Sequence, residues 1–309
     1  MANEKRIALV TGGNKGIGLE ISRNLAAAGS TVLLGVRNVE RGQQAVRGLE
    51  QAGLGDLHAI EIDVTRQDSI TGAAQQIESR YGRLDILVNN AGVNLRGDGP
   101  PGAADLSVVQ EIFDTNFFGA LRVAQAMLPL LRRAAAGRIV NVSSGLGSLA
   151  FNSDPSWSGY NTKLIGYNAS KAALNMLTVH LAYELRGTKI KVNSANPGFT
   201  KTDLNGNTGT QPVEVGAIEA LVWRCSMKMA RPGGRFPRMV PIPGRRFACT
   251  NCGARFSGRP RKRFALEGGQ SCPQPPLRRL SRLESRLRPR LAALQLSVFI
   301  TFAGPKNNR

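Results

Sequence analysis

An alternation constrains this chain more than any single residue. Six apolar runs, Ile7–Val10, Thr31–Val36, Ala59–Val64, Leu84–Asn89, Arg138–Ser143 and Ile190–Ala195, are short and rich in Val, Ile and Leu. They show little polar–apolar alternation, which is the pattern of strands covered on both faces. Between them lie stretches of helical spacing: Gly16–Ala28, Val39–Ala52, Gln67–Tyr81, Val108–Ala135 and Gly166–Leu185. Strand–helix alternation with right-handed crossovers predicts an α/β fold, a doubly wound parallel sheet with helices on both faces.

Charge divides the chain in two. The net charge of +20 over 309 residues suggests a nucleic-acid binder if taken whole. Residues 1–216 carry only +3, however, and residues 217–309 carry +17. All four cysteines and ten of the sixteen prolines also lie in the second part. The start of the chain runs straight into an apolar strand without a cleavable apolar core. The longest apolar stretch, 291–303, is interrupted and too short for a membrane helix. A cytoplasmic protein without membrane attachment is the expectation.

The run T-G-G-N-K-G-I-G, Thr11–Gly18, follows the first strand and opens the first helix. Glycines there let the backbone turn tightly and approach a pyrophosphate, which the helix N-terminus attracts. A glycine-rich turn alone says little; the strand before and helix after make this one Rossmann-like. The second strand ends without the acid that would bind a ribose 2′-hydroxyl. Arg37 stands there, and Lys15 sits in the glycine loop, so two cations near the adenosine ribose suit a 2′-phosphate. The plainer reading is two solvated surface cations. Asp63, in I-D-V-T, ends the third strand, where its carboxylate could accept from an adenine amino group. Asn89–Gly92, N-N-A-G, ends the fourth, small enough for close backbone approach to a ribose; each is also an ordinary turn sequence.

Tyr167 and Lys171, in Y-N-A-S-K, are one helical turn apart on one face. A neighbouring ammonium would lower the phenol's pKa and make it a usable acid–base. Ser144, in N-V-S-S-G, follows the fifth strand and could bond the same carbonyl oxygen. Asn116, in D-T-N-F-F-G, is a polar residue in an apolar helical run, able to interrupt the helix and hold a water. Tyr160 and Lys163 compete for the same pattern but lack its spacing. Residues 1–216 hold no metal-ligand constellation.

In this order the motifs resemble the short-chain dehydrogenase/reductase superfamily, over about residues 5–222. T-G-G-N-K-G-I-G-L, V-R-N-V-E-R-G-Q and T-N-F-F-G look like its NADPH-dependent carbonyl reductase branch. The resemblance implies an oxidoreductase that passes hydride from NADP(H) to a small ketone or aldehyde, or from an alcohol in reverse. Tyr167 would be the acid–base, with Lys171 lowering its pKa and holding the nicotinamide ribose. Ser144 would orient the carbonyl, and Asn116 would fix a water in a proton relay. Gly12, Asn14, Lys15, Gly16, Ile17, Gly18, Arg37, Asp63, Val64, Asn90, Ala91 and Gly92 would line the dinucleotide. Pro197 and Gly198 would pass the nicotinamide, and Thr202 would meet its carboxamide. The segment between Ser144 and Tyr167 is longer than the superfamily's usual spacing. Its Phe151, Trp157 and Tyr160 would favour an apolar or aromatic carbonyl.

The resemblance stops near Val222, so residues 1–222 are expected to form the catalytic domain and 223–309 a separate tail. The superfamily's last strand, commonly D-G-P-T-G-x-F, is absent from the sequence. Read one base earlier, codons for Trp223–Gly233 can encode L-A-L-L-H-E-D-G-P-T-G, which suggests a slipped reading frame. A helix beginning near Val213 is expected to run to about Met229, with a largely disordered tail beyond Ala230. Arg clusters interleaved with Phe247, Phe256 and Phe264 are compatible with nucleic acid, but no ordered motif accompanies them, and none is expected to bind. Cys249 and Cys252 form one C-x-x-C, but Cys225 and Cys272 supply no second, so no metal site is expected. With the last strand missing, the alternative is a dinucleotide-binding protein impaired in catalysis.

Overall fold

Every residue of β1 (Ile7–Thr11) and β2 (Thr31–Val36) is buried, as continuous apolar runs require. The computed structural model describes residues 5–222 together with segments 239–242, 246–249 and 255–257. In the first part β1 and β2 join β3 (Leu57–Glu61), β4 (Ile86–Asn89), β5 (Arg138–Val142) and β6 (Lys191–Ala195). All pairs are parallel, and the strand order is β3-β2-β1-β4-β5-β6. This is the expected doubly wound, Rossmann-like α/β fold.

Successive residues of each strand feed opposite cores. Leu9, Leu33, Leu87 and Ile139 face one apolar cluster with α3 (Gln67–Tyr81), α5 (Ala120–Arg132) and α7 (Ile165–Glu184). Val10, Leu34, Val88 and Val140 face the other, with α1 (Gly16–Ala27) and α2 (Val39–Gln51). The long helix expected over 108–135 is broken. It runs as α4 (Leu106–Phe113), a π turn over Asp114–Gly119, then α5. The polar Asn116 sits in that π turn, where the sequence suggests an interruption. Short helices α6 (Leu149–Asn152), α8 (Val213–Gly216) and α9 (Ile218–Val222) complete the part. The helix expected from Val213 therefore divides at Ala217, and its continuation to Met229 lies outside the described residues.

β6 is an outer strand, and among the described residues no seventh strand joins this sheet. The chain divides into two units, Met1–Gly234 and Arg235–Arg309. In the second, β7 (Met239–Ile242), β8 (Arg246–Cys249) and β9 (Arg255–Ser257) pair antiparallel. Val, Ile and Phe in these segments are strand-favouring residues. The other tail residues, including Trp223–Gly233, for which a slipped reading frame is expected, and Cys225, Cys252 and Cys272, lie outside the described residues. Among the described residues no helix is long and apolar enough to cross a membrane.

The sheet reverses direction of travel between β1 and β4, which opens a crevice at the carboxyl ends of the strands. The candidate residues follow strand ends there: the glycine loop after β1, Arg37 after β2, Asp63 beyond β3, Asn90 after β4, Ser144 after β5 and Pro197 after β6. A rigid core under that rim is therefore a requirement for the site. Leu87, fully buried in β4, should cost about 2–5 kcal/mol on mutation to alanine. Met176, exposed on α7, should cost under about 0.5 kcal/mol. Urea unfolding midpoints of the two variants check this contrast.

Candidate active site

The glycine loop is shaped by close approach. Gly12 and Gly16 have φ of 64° and 54°, a left-handed conformation that side-chain-bearing residues disfavour. A Cβ at Gly18 would lie 2.3 Å from the Gly12 carbonyl oxygen and 2.4 Å from Asn90 Nδ2. Asn90 clamps this loop: its Nδ2 donates to the carbonyls of Thr11 at 2.9 Å and Gly12 at 3.2 Å. Thr11 Oγ1 accepts from the backbone N–H of Asn90 and Ala91, both at 3.0 Å. Thr11 is a site residue that motif reading uses only as punctuation.

No side chain caps the N-terminus of α1, and no acid lies in its first turn. Its free N–H groups and positive dipole end face a cradle that any Cβ at Gly12 or Gly18 would crowd. These residues fit the pyrophosphate of a dinucleotide. Across the crevice, Thr202 Cγ2 is 3.5 Å from where a Gly16 Cβ would stand. Pro197 is half-buried and Gly198 exposed, with φ of 70°.

Two expected cofactor residues are already engaged. Lys15 Nζ lies 2.9 Å from Asp203 Oδ2, so it reaches across the crevice instead of toward Arg37. Sequence spacing gives no sign of this pair, whose members are 188 positions apart. Arg37 is exposed and has no ion-pair partner among the described residues. Asp63 Oδ1 accepts from the N–H and hydroxyl of Thr65, at 2.9 and 2.7 Å, forming a tight turn. Val64 is buried under Gly119, so it offers the crevice only backbone. Asn14 lines a groove between α1 and α2 with Arg23 and Arg41, and Ile17 packs against the core.

The four catalytic candidates come together. Tyr167 and Lys171 share one face of α7, with Lys171 Nζ 5.7 Å from the Tyr167 ring centre. The Ser144 hydroxyl lies near enough to the Tyr167 phenol to favour its ionised form slightly. Gly92 lies beside Asn116 and Lys171: a Cβ there would be 3.2 Å from Asn116 Oδ1 and 3.4 Å from Lys171 Nζ. Lys171 is buried, its Nζ donating to the Val142 carbonyl at 2.9 Å. Asn116 is fully buried, and its amide is committed to protein partners. Oδ1 accepts from Val93 N–H at 2.8 Å, while Nδ2 donates to the Val93 carbonyl at 3.0 Å and Ser170 Oγ at 3.1 Å. The side chain thus acts as a clamp: both Nδ2 hydrogens go to protein acceptors, and Oδ1 accepts one backbone N–H.

Burial is the largest influence on the protonation of this pair. Burial pushes the Tyr167 phenol up to about 12, and Ser144 only partly offsets it. Burial also pushes Lys171 down to about 8. The charged form of each group is disfavoured by the same desolvation, which spacing along a helix cannot reveal.

Near this cluster, Phe151 and Trp157 stack with ring centres 5.3 Å apart. Trp157 Cζ2 is 3.2 Å from the position of a Gly145 Cβ, beside Ser144. Tyr160 turns away to a cation contact with Lys163 at 4.1 Å. Motif reading misses Asp98, which accepts backbone N–H groups of Gly166 and Tyr167 at 2.8 Å each. Its signal is indirect: α7 begins after Leu164, whose side chain cannot cap it.

Residues 6–212 match the family model described as short chain dehydrogenase. The chain belongs to the short-chain dehydrogenase family and is an oxidoreductase of that family, whose members bind NAD(P). It is 38% identical over 219 residues to the short-chain dehydrogenase anuI of Penicillium roqueforti, covering 69% of this chain and 86% of that one. It is 33% identical over 255 residues to carbonyl reductase [NADPH] 1 of Mus musculus, covering 70% and 90%. Among solved structures it resembles salutaridine reductase from Papaver somniferum, with a TM-score of 0.61, 28% identity and coverage of 71% and 95%.

The buried lysine makes stability depend on pH in a defined direction. With Lys171 at about 8 in the native state and 10.5 ordinarily, the unfolded chain binds more protons between those values. Native stability should therefore rise with pH across that window. Lys171→Met should be more stable than wild type at neutral pH by roughly 2–3 kcal/mol, and the gap should close toward pH 10. Denaturant midpoints between pH 7 and 10 check it; a pH-independent gap would contradict it.

Proposed function

We propose that residues 1–222 reduce small ketones or aldehydes with NADPH, the reverse being alcohol oxidation, and that residues 223–309 take no part in catalysis. The observation that carries this reading is a half-buried phenol, Tyr167, near Ser144, one helical turn from the buried Lys171, in a domain with an uncapped, glycine-lined helix N-terminus. Gly12, Gly16, Gly18, Asn90 and the N–H groups opening α1 would hold the pyrophosphate. Arg37 would meet a 2′-phosphate, since β2 ends without a carboxylate in that position. The relatives named for NADPH and NADP support that preference. Pro197, Gly198, Thr202 and Lys171 would flank the nicotinamide end. NADPH, when bound, supplies the hydride.

The protein supplies the proton and the orientation. Ser144 donates to the substrate carbonyl oxygen and fixes it against Tyr167. As that oxygen gains negative charge, Tyr167 Oη gives it a proton, leaving alcohol and phenolate. A phenol held at about 12 is fully protonated at neutral pH, which favours the reducing direction. The Lys171 ammonium lies close enough to stabilise the phenolate until a proton from solvent restores it. Phe151 and Trp157 present apolar rings beside Ser144, which favours bulky apolar or aromatic carbonyls. A cytoplasmic setting goes with this reading, because residues 1–222 contain no cysteine to cross-link.

A second reading, cofactor binding without turnover, is motivated by β6 remaining an outer strand. Unpaired outer strands invite association and loosen the rim of the site. NADPH oxidation with aliphatic and aromatic ketones distinguishes the two. Wild type should turn over aromatic ketones, and Tyr167→Phe should lose about 10²–10⁴-fold in kcat. Trp157→Ala should narrow the preference for aromatic over aliphatic ketones. NADPH binding with no turnover of any ketone would favour the second reading.

A further inference from the structure

The peptide groups of Tyr167 are held on both sides by one short segment. Three consecutive N–H groups open α7, at Ile165, Gly166 and Tyr167, and none has a partner within the helix. Ile165 N–H donates to the Gly99 carbonyl at 2.9 Å. Gly166 N–H donates to Asp98 Oδ1 and Tyr167 N–H to Asp98 Oδ2, each at 2.8 Å. On the other side, Ser170 Oγ donates to the Tyr167 carbonyl at 2.8 Å and accepts from Asn116 Nδ2. Asn116 in turn clamps both backbone groups of Val93. A chain of hydrogen bonds therefore runs from Val93 through Asn116, Ser170 and Tyr167 to Asp98, and the backbone from Val93 to Asp98 closes it.

We propose that Asp98 is a positioning residue for Tyr167: by accepting the Gly166 and Tyr167 N–H groups with its two oxygens, it sets how far the phenol reaches toward the substrate oxygen. The proposal rests on the carbonyl-reductase reading of the site. The Asp98 carboxylate accepts only from backbone N–H groups of Gly99, Gly166 and Tyr167 among the described residues, so its influence on the phenol runs through the backbone. It acts because a bidentate carboxylate fixes both the rotation and the advance of the first turn of α7. A neutral or shorter side chain would leave that turn free to shift, and small misplacements of a reacting group are costly.

The test uses the full chain with Asp98→Ala, Asp98→Asn and, as a control, Asp105→Ala. Asp105 caps α4 through Ser107, at 2.9 Å to its N–H, and its carboxylate makes no hydrogen bond to α7. Asp98→Ala should lower kcat about 100-fold with KM for NADPH changed by no more than about threefold. Asp98→Asn keeps one carbonyl acceptor and should fall between, which also provides a measurable variant should the alanine protein not fold. Amide exchange at Gly166 and Tyr167 should quicken by about tenfold or more in Asp98→Ala. Asp105→Ala should lower the melting temperature and keep kcat within about twofold. Asp98→Ala with wild-type kcat, or Asp105→Ala with an equal loss of kcat, would overturn the proposal. If wild type reduces no carbonyl, the functional reading fails by itself. The exchange rates then decide for Asp98, and unchanged exchange in Asp98→Ala overturns it.

Discussion

The catalytic geometry depends on how closely α7 can lie against the turn that follows β5. A Cβ at Gly147 would stand 2.7 Å from the Lys171 carbonyl carbon and 2.9 Å from its Cβ, so glycine is required at that contact. The close approach brings Lys171 Nζ onto the Val142 carbonyl and the Tyr167 phenol near Ser144. It also buries Lys171 and half-buries Tyr167, and this desolvation separates their pKa values from those of the free side chains. The same packing that assembles the residues thus sets the protonation in which they work: phenol protonated, ammonium easily neutralised.

The cofactor side follows a similar logic with different partners. Glycines at 12, 16 and 18 leave a surface with no side chains, and Asn90 and Thr11 hold it in place from the neighbouring strand end. Lys15 and Asp203 link the two walls of the crevice by an exposed ion pair. Such a pair contributes little stability in water and is readily exchanged for another partner.

Much of this is legible in the amino-acid sequence. Runs such as Thr31–Val36, apolar on both faces, announce a parallel sheet, and the i, i+4 spacing of Tyr167 and Lys171 announces a shared helix face. The polar Asn116 inside an apolar helix marks the interruption that becomes a π turn. Three things are not legible, for physical reasons. The pKa of Tyr167 depends on burial, which spacing does not report. The partner of Lys15 lies on a loop far along the chain. Asp98 caps a helix it does not belong to, and only three-dimensional packing brings a loop carboxylate to a remote N-terminus. Strand ends are also blurred: β3 stops at Glu61 instead of Val64 because Asp63 turns back onto Thr65.

The basic charge of the whole chain belongs almost entirely to residues 217–309, and the crevice lies in the near-neutral part. The central claim is a dinucleotide site there that selects a 2′-phosphate through Arg37. The direct test is titration of the full chain with NADPH and NADH, followed by nicotinamide fluorescence. NADPH should bind about tenfold or more tighter than NADH, the worth of one charge-assisted contact. Equal affinity for the two, or no binding of either, would contradict the claim.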